Sequence, residues 1–440
     1  MKLPNHIVVA ASAWGGRIVT IIIQFYSIRL LLQLLGTDGY AAFTILVSLS
    51  GWLLLADIGI GNSLQNKISA RRSEKNNYHD LILSAAILIV PIIFIISIII
   101  YLLSPMLSGF LLSNFDFMSE PQKKSVFLLA CLIYILTTLG TVSFKIWYAE
   151  KIGWLSNLIP VFSTTLGFVL LQIFTTMNHE SQTYSLLFYA ITTFYIPAAV
   201  IGIGTFCYQI VFSLYKGFLP SKTTALVLFN KGCGFFYFAI MAALIFQIDY
   251  IIMAKKITGE ELVIYAIFSK IFGLTNFIYT SLLQAIWPMC AEANTKKEWD
   301  LYYQIGRKYI ALGFGLVIFC SVGIWFFKEY IISILARNES LSISLSTILL
   351  FSFYHLIRVW TDTFNVFLMS MGHLKVFRIS MPCQAVLSGT LQWIGASYYG
   401  INGLLYGIIA SFILTVAWYL PFSFNRIMLK NKHAHEVICG

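Results

Sequence analysis

The chain is dominated by long runs of apolar residues, separated by short polar segments. A transmembrane helix needs about 20 apolar residues to cross about 30 Å of hydrocarbon. The runs that reach this length lie at about 8–35, 39–61, 81–104, 125–148, 154–177, 184–212, 226–252, 262–288, 306–327, 343–370, 379–399 and 403–424. The pattern therefore predicts an all-α polytopic membrane protein with about 12 transmembrane helices and no large domain between them.

Composition supports the bilayer as the solvent for most of this chain. Of its 440 residues, 59% are hydrophobic and only 11% are charged, whereas an average soluble domain is about 25% charged. The formal net charge is +11, but the basic residues stand singly or in pairs between apolar runs. Because they form no basic helix or domain, nucleic acid is excluded as a partner, and membrane lipids are expected instead.

The distribution of Lys and Arg predicts the orientation. If the N-terminus is cytoplasmic, the inner segments carry roughly three times as many basic residues as the outer segments. The bias holds from one loop to the next. It predicts an even number of helices, with both termini in the cytoplasm.

Several charged residues lie inside the predicted helices. A charge near the bilayer centre costs about 2.5–3.5 kcal/mol on insertion scales, so these residues indicate a polar interior, such as a water-filled cavity. The candidate cations for an anionic ligand are Arg17, Arg29, Lys231, Lys270 and Arg358. The candidate coupling or pairing acids are Asp57, Asp249 and Asp362.

A purely structural role is the alternative for most of these charges. Arg17 lies about nine residues into its helix, too deep to reach the interface easily, and would otherwise pair with a neighbouring acid. Arg29 is near the outer end of the same helix and could extend to the head groups. Arg358 and Asp362 are four residues apart and share a helix face, where they could simply neutralise one another. Asp249 could cap or pair at the outer end of the seventh span.

The sequence lacks the signatures of soluble enzymes. It contains no Walker A loop, no GxSxG and no HExxH. None of the seven cysteines forms a CxxC pair. We therefore expect a protein that is not an enzyme and that uses no cofactor and no metal.

The segment WLLLADIGIGNSLQNKISARR (52–72) places a carboxylate and two glycines where an apolar run meets a basic tail. The interpretation we favour for Asp57 is structural, since a carboxylate can bond free backbone groups where glycines permit a bend. A proton-coupling role is the alternative. DIGIGNSLQNKIS resembles the D-x-G-x-G segment of bacterial O-antigen and polysaccharide flippases, which belong to the multidrug/oligosaccharidyl-lipid/polysaccharide exporter (MOP) superfamily.

Other segments support this resemblance over nearly the whole chain. LLGTDGYAAFTILVSL (34–49) is similar to that family's first outer turn, and FQIDYIIMAKKITGEELVIYAIFSKIFGL (246–274) to the matching turn of its second half. NVFLMSMGHLK (365–375) and YYGINGLLYGIIAS (398–411) resemble its C-terminal signatures. The resemblance implies two six-helix halves, here 1–215 and 216–440, as in other transporters built from repeats.

The same resemblance implies the activity. Such proteins move undecaprenyl-pyrophosphate-linked glycan units from the inner to the outer leaflet of the bacterial inner membrane, by alternating access through a basic cavity. Polysaccharide polymerase and chain-length proteins are the expected protein partners. A cation-coupled multidrug antiporter is one alternative, although it would favour an acidic cavity. A polysaccharide polymerase or ligase is another, but such enzymes resemble one another in a large outer loop, which this chain lacks.

Overall fold

The computed structural model describes residues 5–177, 182–335, 344–373 and 375–439, and these residues are almost entirely helical. The long helices match the apolar runs of the sequence, because a helix satisfies its backbone groups within its own segment and can therefore lie in hydrocarbon. The helices are α1 (Asn5–Ser48), α2 (Ser50–Leu53), α3 (Ile60–Ser73), α4 (His79–Leu111), α5 (Glu120–Ala149), α6 (Gly153–Met177), α7 (Thr183–Tyr215), α8 (Lys222–Phe246), α9 (Ile248–Lys256), α10 (Gly259–Lys296), α11 (Trp299–Leu335), α12 (Leu345–Ser370), α13 (Lys375–Leu414) and α14 (Val416–Cys439).

These helices form the twelve membrane segments predicted from the sequence. Within the described ranges, nine stretches are long and apolar enough to cross a membrane. Two of them, Ala11–Leu53 and Lys375–Lys430, are long enough to cross twice, and each contains a backbone break. The remaining segment is α12, whose polar residues make it less apolar than the other spans. The prediction of an all-α polytopic fold is confirmed.

Glycines make both breaks possible. Gly36 interrupts α1 with a φ of 67°, and Gly400 interrupts α13 with a φ of 56° next to the non-helical Tyr399. A positive φ costs glycine little because it has no Cβ. A Cβ at Gly400 would also lie 2.5 Å from a carboxylate oxygen of Glu261. These positions divide each long helix into two membrane segments.

The helices gather into two compact units, one running to Ala243 and the other beginning at Leu244. In the first unit, α3, α4, α5, α7 and α8 share a core of aliphatic side chains, including Ile60, Ile89 and Val142, each 0% exposed. In the second unit, α12 packs against α10, α13 and α14. The division into halves at residue 215, which concerns internal repeats, stays a prediction.

The core of the second unit is aromatic. The rings of Phe272 and Phe351 lie 5.8 Å apart and nearly parallel, and the imidazole of His355 stacks on Phe272 at 4.7 Å. The Tyr279 hydroxyl and the Thr363 hydroxyl are 2.6 Å apart and join α10 to α12. These contacts fix the face of α12 that carries its charged residues.

Two boundaries differ from the sequence prediction. The segment after residue 61 was expected to be a loop, but α3 continues to Ser73; its KISARR residues are too polar for a hydrophobicity pattern to detect. The seventh span was expected to be one helix, but α8 ends at Phe246 and Gln247 has non-helical angles. Asp249 therefore lies in the first turn of α9 and does not close a continuous helix with Lys231.

Candidate functional site

The Asp57 carboxylate organises the break between α2 and α3. Its Oδ1 accepts a hydrogen bond from the Gly59 amide at 3.0 Å, and its Oδ2 accepts one from the Gly61 amide at 3.1 Å. The Lys145 ammonium of α5 lies 3.1 Å from the same Oδ2. Asp57 is only 3% exposed. Its carboxylate satisfies the amides of Gly59 and Gly61, which would otherwise be unpaired at the start of α3. The backbone contacts expected from the sequence are thus present.

The break also requires small residues and unusual backbone angles. Ile58 has a φ of 48° and Gly59 a φ of 70°; a left-handed conformation is unfavourable for a β-branched residue and tends to occur at functional sites. A Cβ on Gly59 would lie 2.4 Å from the Gly232 carbonyl oxygen of α8. The motif therefore holds α8 in backbone contact with the break, close to Lys231.

The sequence analysis did not select Lys145 as a partner of Asp57. Its position within the predicted span 125–148 was the available signal, because a lysine inside an apolar run needs a partner. A Cβ on Gly61 would lie 2.8 Å from Lys145 Cδ, so this glycine makes room for the ion pair. Lys231 itself is exposed on α8.

A second polar network lies where α3 and α5 end and α4 begins. Arg71 forms an ion pair with Asp80 at 2.5 Å, and Arg72 donates to the Ala149 carbonyl at 2.6 Å. The Tyr78 hydroxyl donates to Glu150 at 2.8 Å. Burial raises the pKa of Glu150, while the hydrogen bond from Tyr78 and the charge of Arg72 oppose this increase. The network joins three helix ends of the first unit.

The two candidate arginines of α1 have different surroundings. Arg17 is exposed and Arg29 is half-buried. Next to Arg17, a Cβ on Gly16 would lie 2.8 Å from the side chain of Val161, so this glycine allows α1 to approach α6 closely. The helix is unbroken between the two arginines, which therefore lie on different faces.

Arg358 and Asp362 form the charged centre of the second unit. The Arg358 Nη2 lies 3.4 Å from an Asp362 oxygen, and the two side chains are 19% and 16% exposed. The guanidinium also lies over the Phe246 ring, with Cζ 4.6 Å from the centroid. Its Nε is buried without a hydrogen-bond partner among the described residues. An unsatisfied buried donor costs about 1–3 kcal/mol.

Asp249 and Lys270 lie in the same unit. The Asp249 carboxylate is 8% exposed and accepts hydrogen bonds from the Tyr265 hydroxyl at 2.5 Å and the Tyr250 amide at 2.9 Å. Tyr354 is close enough to interact electrostatically with Asp249, Arg358 and Asp362. Lys270 is half-buried on α10.

The structure brings some of the predicted residues together. Arg358 and Asp362 form an ion pair, and Tyr354, which the sequence analysis did not select, interacts electrostatically with both of them and with Asp249. Gly59, in the Asp57 break, approaches the backbone of Gly232, which follows Lys231, but the ion-pair partner of Asp57 is Lys145. Within the described ranges, no group of three or more His, Cys, Asp or Glu residues could hold a metal.

Comparison with solved structures identifies the fold. An inward-facing multidrug resistance MATE family transporter of the MOP superfamily shares the fold with a TM-score of 0.70 and 13% identity, over 93% of this chain and 96% of the other. The lipid II flippase MurJ, in an inward closed conformation, shares it with a TM-score of 0.66 and 14% identity, over 98% and 92%. The family model MatE matches residues 237–394. The fold is that of MOP-superfamily transporters.

Two relatives define the family more closely. A Yersinia pseudotuberculosis protein, provisionally named an O-antigen export protein, is 50% identical over 99% of this chain and 100% of its own length. A Salmonella typhi protein, provisionally named an O-antigen transporter, is 36% identical over 96% of each chain. The chain therefore belongs to the family of these O-antigen exporters, and it is a multi-pass membrane transporter.

Proposed function

We propose that this chain moves undecaprenyl-pyrophosphate-linked O-antigen units from the inner to the outer leaflet of the bacterial inner membrane. The observation that carries the proposal is the 50% identity to an O-antigen export protein over almost the full length of both chains. The fold shared with MurJ, whose name describes it as a lipid II flippase, is compatible with a lipid-linked substrate.

The chemistry of such a substrate matches the charges of the chain. Its lipid tail can stay in the hydrocarbon, whereas its pyrophosphate and glycan need a polar path. Cations within the membrane segments would offset the cost of moving the pyrophosphate through a medium of low dielectric constant. Alternating access would expose that path to each side in turn. A cation-coupled antiporter would need the opposite sign of charge.

Arg358 is the candidate ligand with the best-defined geometry. Asp362 holds one side of its guanidinium at 3.4 Å, and Nε lacks a partner among the described residues. A guanidinium can bind two phosphate oxygens at once. We infer that the pyrophosphate replaces Asp362 as the partner of Arg358 during transport, and that the ion pair forms again when the substrate leaves.

The other charged positions have secondary parts in this proposal. The cations Arg17, Arg29, Lys231 and Lys270 are candidates for further contacts with the head group. Among the acids, Asp249 is the best candidate to carry a coupling proton, because its bonding partners in the described structure are neutral. The ion pair of Asp57 with Lys145 supports a structural role for Asp57.

The position in the cell follows from the same proposal. The excess of Lys and Arg in alternate segments supports cytoplasmic termini. The substrate would be taken up at the cytoplasmic leaflet after assembly and passed at the outer leaflet to a polymerase and a chain-length protein. These are the partners we propose.

Three variants test the role of Arg358 in a strain that lacks its own exporter. We expect Arg358→Gln, Asp362→Asn and the double variant to accumulate in the membrane while surface polysaccharide is lost whenever Arg358 is absent. Arg426→Gln, at an exposed position near the C-terminal end, is the matched control and should export normally. The measurement is surface polysaccharide normalised to protein level. If the double variant recovers export, the pair serves only mutual neutralisation.

A further inference from the structure

A cavity lies in the second unit, between α11, α12 and α14. Its volume is about 560 Å³, within the range of about 300–1,000 Å³ that is usual for ligand sites. Its walls are apolar and largely aromatic, and include Ile310, Phe314, Trp360, Phe364 and Phe424. None of these residues belongs to the Arg358 site described above.

The cavity exists because small residues of α11 face large residues of α12 and α14. Gly306 and Ala311 line it, and a Cβ on Gly306 would lie 3.2 Å from the Phe367 ring. The Trp360 indole donates to the Ala417 carbonyl at 2.8 Å, which satisfies its only polar atom. The interior therefore offers contacts to hydrocarbon and few to a polar group.

Polar groups occur at one end of the cavity. Arg307 and Asn425 line it there, and the Tyr303 hydroxyl donates to the Asn425 side chain at 3.3 Å. Arg307 is exposed, and in the described part of the chain no carboxylate forms an ion pair with it. The charge pattern of the sequence places this end at the cytoplasmic side. The apolar part extends from Gly306 to Phe314, roughly 12 Å along the helix.

We propose that this cavity binds the head-proximal part of a polyisoprenyl phosphate chain, with the phosphate at Arg307. The inference rests on the proposed function, because it assigns to this site the lipid portion of the same substrate. The apolar length suits a single hydrocarbon chain, and the arginine at its cytoplasmic end complements the phosphate. A phospholipid carries two acyl chains, and this cavity would accommodate only one of them.

The binding would act at the loading step. A lipid-linked glycan arrives in the inner leaflet with its phosphate at the interface, which is the level expected for Arg307. Capture of the first isoprene units would hold the head group at a fixed depth while the glycan remains outside the hydrocarbon. The site thus selects for a long isoprenoid chain and not for particular sugars.

Photolabelling of the purified full chain in phosphatidylcholine nanodiscs tests the proposal. The probe is a polyisoprenyl phosphate with a diazirine in its first isoprene units, and labelled peptides are identified by mass spectrometry. We expect labels within 302–314 and 360–367, and unlabelled polyisoprenyl phosphate should compete. Ala311→Trp should reduce labelling about tenfold by filling the cavity, whereas Leu312→Trp, on the neighbouring exposed face, should change it less than about twofold.

Arg307→Gln provides a test that does not depend on core packing. Because its side chain is exposed, the variant should fold normally, and loss of one charge-assisted contact should lower the apparent affinity about tenfold. Equal competition by phosphatidylglycerol would show an ordinary anionic phospholipid site and overturn the proposal, as would labelling confined to other helices. If Ala311→Trp abolishes labelling while O-antigen export stays normal, the cavity is not used for loading and the proposed transport function stands. If the cavity is labelled but the protein shows no transport in reconstituted vesicles, only the proposed transport function is contradicted.

Discussion

Replacing Asp57 with alanine should destabilise the break between α2 and α3 more than any other single loss of charge in the first unit. The wild-type carboxylate accepts from two backbone amides, at 3.0 and 3.1 Å, and pairs with Lys145 at 3.1 Å. The variant leaves both amides unsatisfied, at about 1–3 kcal/mol each. Lys145 is 25% exposed and can partly reach water, so the loss of its ion pair with Asp57 adds less to the destabilisation. We expect Asp57→Ala to destabilise the break by a total of about 3–5 kcal/mol.

Amide hydrogen exchange measures this effect where it arises. In detergent-purified protein, peptides covering 54–62 should exchange about 100-fold faster in Asp57→Ala, which corresponds to about 3 kcal/mol. Lys145→Met should accelerate exchange much less, because the carboxylate keeps both amide donors. Asp38→Ala, at an exposed position of the first outer turn, is the control and should leave these peptides unchanged.

Two outcomes would refute this reasoning. If Asp57→Ala exchanges like the wild type, the carboxylate does not hold the break. If Lys145→Met accelerates hydrogen exchange as much as Asp57→Ala does, the ion pair contributes more to the stability of the break than the backbone hydrogen bonds do. Normal exchange in Asp57→Ala together with lost export would favour the alternative role in proton coupling.

Three further predictions concern other parts of the chain. Gly232→Val should lower the melting temperature and export, because a Cβ there would lie 3.0 Å from the Ile58 carbonyl oxygen; an unchanged melting temperature would contradict the close contact. Arg17→Ala should abolish surface polysaccharide at normal protein level, and Arg17→Lys should retain part of it; full export by the alanine variant would remove Arg17 from the proposed site. A cytoplasm-active reporter should be active after Lys75 and silent after Lys124, and activity at both would invalidate the topology.

Much of the fold could be predicted because hydrocarbon imposes a simple rule on sequence. Spans of about 20 apolar residues are necessary for crossing, so run lengths indicate the segments. The break at 54–59 was also visible, since Asp57 and Gly59 interrupt an apolar run. The end of α3 at Ser73 could not be predicted in this way, because the part of a helix that extends beyond the bilayer does not have to be apolar on every side.

The candidate sites were harder to predict because partners distant in the sequence decide them. The pairing of Arg358 with Asp362 follows from a spacing of four residues, whereas the pairing of Asp57 with Lys145 depends on the packing of α3 against α5. Asp249 lies in the first turn of α9, and not at the end of a continuous α8, because Gln247 breaks the seventh span. A single sequence contains no signal for such contacts between helices.

Reconstitution tests the central claim most directly. Purified protein is inserted into liposomes that contain a fluorescent undecaprenyl-pyrophosphate-linked oligosaccharide in both leaflets, and a membrane-impermeant glycosidase is added outside. We predict that the enzyme digests nearly all of the labelled lipid in proteoliposomes, because molecules of the inner leaflet are moved outward. Protein-free liposomes and those with Arg358→Gln should lose only the share in the outer leaflet. Digestion that stops at that same share with the wild-type protein would contradict the proposed flippase activity.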